Sequence, residues 1–359
     1  MSWSLEKILK AARHFHASDV HLIRDVAPVL RLNGEIRPIE GEPLDVEQLR
    51  GIVEGVLTEP LKEQLERDWQ LCFSKHWPEI GRFRMSIYFH SGCPEMAIRL
   101  CETVVRPREE LKLPPIVEEL TRQPNGLILV TGQTGMGKTT TLNYMIDCIN
   151  RQRRAKIVTI EDPIEFVHEN QRSIVVQQEV MTDVRSFREA LVHVLRQDPD
   201  VIVIGEMRNL ETIETALTAA ETGHLVLATL HTPDCVQTVQ RIYSVFPAEQ
   251  QNSIVTQIAN SLRAIIAQKL LPLANGQGQV LATEICIATN AVRNHIRERS
   301  VHQIYSEMQT GRKHQMQTMD AALLDLYQRG EITYDTALTN AREPSHFQNR
   351  TGQVSPPSG

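Results

Sequence analysis

Apolar positions follow two rhythms along the chain, and the change between them divides it. At the start, Leu5, Ile8, Leu9, Ala12 and Phe15 recur at helical spacing, which predicts an amphipathic helix over 4–15. Short strand-like runs follow, carrying Val20, Leu22, Val29, Leu30 and Leu32, and Asn33-Gly34 between two such runs is a hairpin signal. Residues 44–67 are predicted to be helical, with acidic and basic side chains on the outer face. Strands are predicted at 82–90 and 95–101, with Ser91-Gly92 between them. These elements describe a small α+β domain over 1–105. Pro107, Pro114, Pro115 and Pro124 punctuate the next stretch, so 106–124 reads as a linker.

From residue 126 the rhythm becomes apolar runs alternating with amphipathic helices. The runs 127–131, 156–160, 201–204 and 225–230 predict strands, and 139–150, 184–196 and 210–221 predict helices. In the last of these, Ile213, Ala216, Leu217 and Ala220 share a face. Near-continuous apolar strands separated by helices imply a mainly parallel sheet covered on both sides. A long helix is expected at about 248–270, with Ile254, Ile258, Leu262 and Ile265 on one stripe. This α/β domain is assigned to 125–342. The polar segment 343–359, rich in Pro, Ser, Gln and Gly, is expected to be a disordered tail.

Composition narrows the function classes. The chain has 359 residues, 41% hydrophobic and 23% charged, which suits about two globular domains. A net charge of −6 argues against nucleic acid as the main partner. The six cysteines form no C-x-x-C pair, which fits reduced thiols in a cytoplasmic protein. His231 and Cys235 are four apart, but two ligands do not make a zinc site. The first residues carry charges throughout and do not read as a signal peptide. No apolar run reaches the roughly 18–20 residues of a membrane span, so a link to the membrane is expected only through partners.

The strongest chemical signal is Gly132-Gln133-Thr134-Gly135-Met136-Gly137-Lys138-Thr139, followed by Thr140. It fits G-x-x-x-x-G-K-[ST] between an apolar strand and a helix. Glycines let backbone N–H groups wrap a phosphate chain, and the helix N-terminus adds favourable potential for an anion. Lys138 supplies positive charge to the β- and γ-phosphates, and the Thr139 hydroxyl is the candidate ligand to Mg²⁺. The loop alone does not distinguish ATP from GTP.

Acidic and histidine elements follow further strands. Glu161, Asp162 and Glu165 sit directly after one apolar run, where they either orient water and metal or form an ordinary polar loop. The run Val201–Ile204 ends in Gly205-Glu206. A Walker B strand commonly has Asp where Gly205 stands, so Glu206 is the candidate to polarise the attacking water. His224 and His231 flank the run 225–230. His231 is expected at the edge that carries the phosphate loop and His224 at the opposite end.

Taken together, GQTGMGKTTT at 132–141, TIEDPIEF at 159–166, LRQDPDVIVIGEMRN at 195–209 and TGHLVLATLHT at 222–232 resemble the Walker A, Asp box, Walker B and His box of the type II/IV secretion ATPase superfamily. Within it the chain is most similar to PilT-type retraction ATPases. Residues 291–298, AVRNHIRE, resemble that group's AIRNLIRE motif, with Val292 and His295 as departures, and the four-cysteine zinc insert of the assembly ATPases is missing. Gln133 and Met136 also depart from the usual loop, which leaves the glycines and Lys138 intact.

The resemblance implies a PAS-like N-terminal domain, a RecA-like P-loop ATPase domain and a homo-hexameric ring with ATP and Mg²⁺ at subunit contacts. It implies catalytic roles for Glu206, Glu161, Glu165, His231 and His224, and for Arg82, Arg84 and Arg99 as charge partners of the departing phosphate. From residue types alone, Arg82 and Arg84 would be solvent-facing strand arginines. The implied activity is ATP-driven retraction of type IV pili, with force delivered to an inner-membrane platform protein. Rivals are a PilU-like accessory motor, an assembly or type II secretion motor, a RecA-like translocase and a non-hydrolysing nucleotide-binding regulator.

Overall fold

The protein is described from a computed structural model, which covers residues 3–32, 34–344 and 347. It falls into two compact units. The first comprises residues 1–104 with 162–167, and the second comprises 105–161 with 168–359. The segment 162–167, inside the span expected to be the ATPase domain, therefore groups with the N-terminal unit.

The first unit contains α1 (Leu5–His14), β1 (Asp19–Leu22), β2 (Val29–Leu32), β3 (Glu35–Pro38), α2 (Val46–Val56), α3 (Glu59–Asp68), β4 (Gln70–Trp77), β5 (Gly81–His90) and β6 (Cys93–Leu100). The strands pair antiparallel in the order β3-β2-β1-β6-β5-β4. On β5 the alternation is plain: Phe83, Met85 and Ile87 are buried, and the residues between them are partly exposed. They pack in one core with Ile8 and Leu9 of α1 and Leu49 and Val53 of α2.

The helical stretch expected over 44–67 forms two helices. Asp45 and Gln48 form a capping box that starts α2. Thr58 starts α3, with Pro60 in its first turn. Proline has no N–H to give and is tolerated at a helix start but not in its interior, so the apolar stripe had to break there. The strand β4 was not anticipated; its burial alternates only at its start, over Gln70–Phe73.

The second unit contains α4 (Ile116–Leu120), β7 (Gly126–Thr131), α5 (Lys138–Gln152), β8 (Lys156–Glu161), β9 (Ile174–Glu179), α6 (Phe187–Val194), β10 (Val201–Ile204), α7 (Leu210–Glu221), β11 (Leu225–Leu230), α8 (Cys235–Ser244), α9 (Gln251–Ser261), β12 (Leu262–Pro272), β13 (Gln279–Ile287), α10 (Asn290–Arg297), α11 (Ile304–Thr310), α12 (Met319–Gln328) and α13 (Tyr334–Asn340). The sheet runs β13-β12-β7-β11-β10-β8-β9, parallel throughout except for the β12–β13 pair. Every residue of β7, β10 and β11 is buried, as expected for strands covered on both faces. This is the α/β, RecA-like architecture.

The expected long helix at 248–270 is corrected. Its first part is α9, but Leu262 and Ile265 lie in β12, which pairs with β7 on one side and β13 on the other. A strand buried on both sides is a continuous apolar run, and such a run mimics a buried helix. The tail boundary also moves. Phe347 is buried among Leu271, Val280 and Leu323, so the C-terminal core extends past Arg342. The rest of the expected tail lies mostly outside the described residues, which include Glu343 and Pro344. Residues 291–298 fall on α10 and its end; Val292 and Ile296 of that helix are fully buried, so its apolar face packs inward.

Two buried titratable groups hold this unit together. Glu284 accepts the Cys235 N–H at the start of α8 (2.8 Å) and the Met319 N–H at the start of α12 (3.3 Å), and burial raises its pKa. His168 is 7% exposed, with Nε2 3.2 Å from Asn143 Oδ1 on α5. Burial pushes its pKa from 6.5 down to about 4. As pH falls below about 6.5 the unfolded chain takes up a proton that the folded chain refuses until about pH 4, so stability is lost across that window. His168→Gln is expected to flatten this loss, read from urea midpoints at pH 7 and pH 5. An unchanged difference between the two midpoints would remove His168 as its source.

Candidate active site

Because β7, β8, β10 and β11 are parallel, their carboxyl ends share one edge of the sheet. The phosphate-type loop 132–137 follows β7, Glu161 ends β8, Gly205-Glu206 follows β10 and His231 follows β11. Ligands of open α/β sheets bind at this edge.

The loop is shaped by one close approach and one left-handed glycine. At Gly132 (φ +143°) a Cβ would lie 2.6 Å from Gln268 O, so only glycine fits there. Gly137 is left-handed (φ 78°) and stands at the N-cap of α5 with no side-chain cap, which leaves the first-turn N–H groups to other acceptors. Gln133, Thr134 and Gly135 form the exposed tip, and Thr139 and Thr140 lie in the first turn of α5.

Four side chains make a continuous polar path. Lys138, 9% exposed, donates to Gly132 O (2.8 Å) and Gln133 O (2.9 Å), and its Nζ lies 3.4 Å from His231 Nδ1. His231 Nε2 is 2.8 Å from Glu206 Oε1, and Arg208 reaches Glu206 Oε2 at 2.9 Å. The Glu206 carboxylate can only accept, so His231 donates to it from Nε2. Burial would raise the Glu206 pKa, but the hydrogen bonds and charges of Arg208 and His231 outweigh it and hold the carboxyl below its usual range. Glu206 is therefore an anion at neutral pH. Burial lowers the Lys138 pKa, opposed by the charge of Glu206.

Gly205 has a local reason. It donates to Ile160 O (2.8 Å), and a Cβ there would meet Ile160 O at 3.2 Å and Glu161 Cα at 3.4 Å. β8 crowds the place where an Asp is common. Glu161, 8% exposed, accepts from Thr159 Oγ1 (2.6 Å) and from Gln177 Nε2 (3.0 Å) of β9.

The remaining candidates lie elsewhere. His224 precedes β11, and its Nδ1 is 3.0 Å from Ala219 O, so a strand of six residues, roughly 20 Å long, separates it from the loop edge. Arg82, Arg84, Arg99 and Glu165 belong to the first unit. Within it Arg82 donates to Ile164 O (2.7 Å) and to Ser74 Oγ. Arg84 pairs with Glu165 (3.0 Å) and Arg99 with Asp19 (3.0 Å). The solvent-facing reading of Arg82 and Arg84 thus gives way to engaged, partly buried side chains. Cys235 is fully buried, with Sγ 3.6 Å from Ile265 O. Among the described residues no group of three or more His, Cys, Asp or Glu could hold a metal.

Sequence reasoning missed Gln177, because β9 carries no strand signal strong enough to place it. It also missed Gln268, whose Nε2 donates to Thr141 Oγ1 (2.7 Å) on α5, because β12 was read as helix.

A family model described as type II/IV secretion system protein matches residues 96–354. The chain is 41% identical to the type IV pilus retraction ATPase PilT of Pseudomonas aeruginosa over 331 residues, 92% of this chain and 96% of that protein. It is 39% identical to the type IV pilus ATPase PilU of the same organism, over 94% of this chain and 88% of that protein. A crystal structure of the pilus retraction motor PilT with bound ADP superposes with a TM-score of 0.90 at 41% identity, covering 97% of this chain and 99% of that one. One family accounts for most of the sequence as well as for the fold and the site edge, and the chain belongs to it: the type II/IV secretion system proteins.

Proposed function

We propose that the chain is a motor ATPase that hydrolyses ATP to drive type IV pilus retraction. The observation that carries this reading is the path from Lys138 through His231 to an anionic Glu206, set at the carboxyl edge directly beside the phosphate loop. The donor set fits Mg-ATP. The uncapped first turn of α5 and Lys138 offer positive potential to phosphates, and the Thr139 hydroxyl, in that turn, would be the protein's ligand to the metal. A site with few protein ligands suits Mg²⁺, which keeps waters and phosphate oxygens around it. When bound, Mg²⁺ would neutralise charge developing on the phosphates.

In this mechanism Lys138 leaves the loop carbonyls for the phosphate chain. Glu206 orients the attacking water and receives its proton, with His231 and Arg208 fixing the carboxylate. Glu161, held on β8 by Thr159 and Gln177, is proposed to tune the metal and the water. Arg82, Arg84 and Arg99, with Glu165, are proposed to serve the nucleotide of a neighbouring copy, and His224 a neighbour in the same way. That division of labour calls for a ring, proposed as a homo-hexamer. Residues 1–104 with 162–167 act as the PAS-like domain, and the unit from 105 through Phe347 acts as the ATPase domain; the expected linker 106–124 is part of it, since Leu113, Ile116, Val117 and Leu120 are buried in its core. No helix of the described residues is long and apolar enough to cross a membrane. The proposed place is the cytoplasmic face of the inner membrane, held there by the pilus platform protein.

A second reading rests on the near-equal identity to PilT and PilU, 41% and 39%. It makes the chain an accessory motor. Deletion in the host followed by complementation tests both. Retraction restored by this chain without other retraction ATPases supports the motor. Retraction only beside a second such ATPase supports the accessory reading, and undisturbed retraction in the deletion strain overturns both.

A further inference from the structure

The phosphate loop rests on β12, beyond the point where the two strands are paired. The β7–β12 ladder ends at Thr131↔Ala267, while β12 continues to Pro272. Residues 268–270 still pair with β13 on one edge, and their other edge faces the loop in place of β7. Gln268 O sits where a side chain at Gly132 would be, 2.6 Å from its Cβ position. Leu270 Cδ1 lies 3.6 Å from the Cβ position of Gly137. Between these two approaches the Leu270 N–H, which has no β7 carbonyl opposite it, donates to Met136 Sδ at 3.2 Å.

A thioether is a weak acceptor on a long, adaptable side chain. It replaces a ladder carbonyl at this place and ties the middle of the loop to the sheet. Other polar atoms here are not compensated: Thr131 Oγ1 and Gln268 Oε1 are buried and without a hydrogen-bond partner. Removing the acceptor at 136 would leave the part-buried Leu270 N–H without this bond, at part of that group's desolvation cost.

We propose that Met136 is a positioning residue of the nucleotide site. Through its sulfur–backbone bond to Leu270 it holds the loop in the curvature that receives phosphates, without itself touching the reacting atoms. The proposal rests on the ATPase reading above. It predicts an effect on nucleotide affinity rather than on the chemical step, because Glu206 and His231 follow other strands, β10 and β11.

The test is steady-state ATP hydrolysis with Mg²⁺ by the full chain and two variants. Met136→Leu keeps the volume and removes the acceptor; it is expected to raise KM for ATP by about 3–10-fold with kcat within about twofold. Met136→Gln offers an amide oxygen at similar reach and is expected to return KM to within about twofold of the parent. A Leu variant with the parent's KM overturns the proposal. So does a Gln variant as impaired as the Leu variant, or a loss confined to kcat, since packing alone would explain either. A parent chain with no ATP turnover would instead overturn the reading of the site, and this proposal with it.

Discussion

Glu206→Gln is expected to lower ATP turnover by about 10²-fold or more and to leave nucleotide binding close to that of the parent. The substitution is nearly isosteric, and the amide oxygen can still accept from His231 Nε2. What it removes is the negative charge that His231 and Arg208 hold in place, and with it the acceptor for a proton from water. A hundredfold loss corresponds to about 2.7 kcal/mol of transition-state stabilisation, within the range of one preorganised charged group. The depressed pKa of Glu206 adds a sign: between pH 6 and 8 the carboxylate is fully ionised, so pH dependence there comes from other groups. Phosphate release measured beside nucleotide affinity checks this. Near-normal turnover in the Gln variant would take Glu206 out of the catalytic role.

Lys138→Ala is expected to cost at least as much, about 10²-fold or more in turnover, and to weaken nucleotide binding as well. Lys138 is nearly buried, and its ammonium is held by two loop carbonyls and faces His231. Alanine removes both the charge for the phosphates and the clasp that closes the loop on itself. The two variants are thus distinguished by where the loss falls, in kcat alone for Glu206 and in affinity and kcat for Lys138. A Lys138→Ala chain that binds ATP as tightly as the parent would contradict the role given to the loop.

Much of the site edge was legible because its carriers are local. A glycine-rich turn between an apolar strand and a helix needs only neighbours in sequence, and so does an acid at the end of a buried strand. That is why the loop at 132–139, β8, β10 and β11 could be placed from periodicity, and why His231 and His224 could be assigned to opposite ends of one strand. The contacts that give these residues chemistry are not local. His231 meets Lys138 from 93 positions away, and Glu161 is held by Gln177 on a strand that the pattern did not mark.

The errors have one physical origin: a side-chain pattern reports burial, not backbone pairing. Leu262 and Ile265 continue the stripe of α9 at helical spacing, yet they are buried because β7 and β13 flank them. Phe347 sits in polar company along the sequence and is buried because Leu271, Val280 and Leu323 come to it from distant elements. Gly205 stands where a Walker B strand commonly has Asp. The approach of Ile160 O and Glu161 explains it as a demand for space between β8 and β10. The grouping of 162–167 with the N-terminal unit had no sequence signal; Arg82 and Arg84 hold that segment through a backbone carbonyl and Glu165.

The most direct test of the ring-motor account is ATP hydrolysis by the purified chain with Mg²⁺, measured together with its mass in solution with and without nucleotide. The account predicts hydrolysis by a species near six subunits, abolished by Glu206→Gln. A monomer that binds ATP and does not hydrolyse it would leave the phosphate loop standing and contradict the motor.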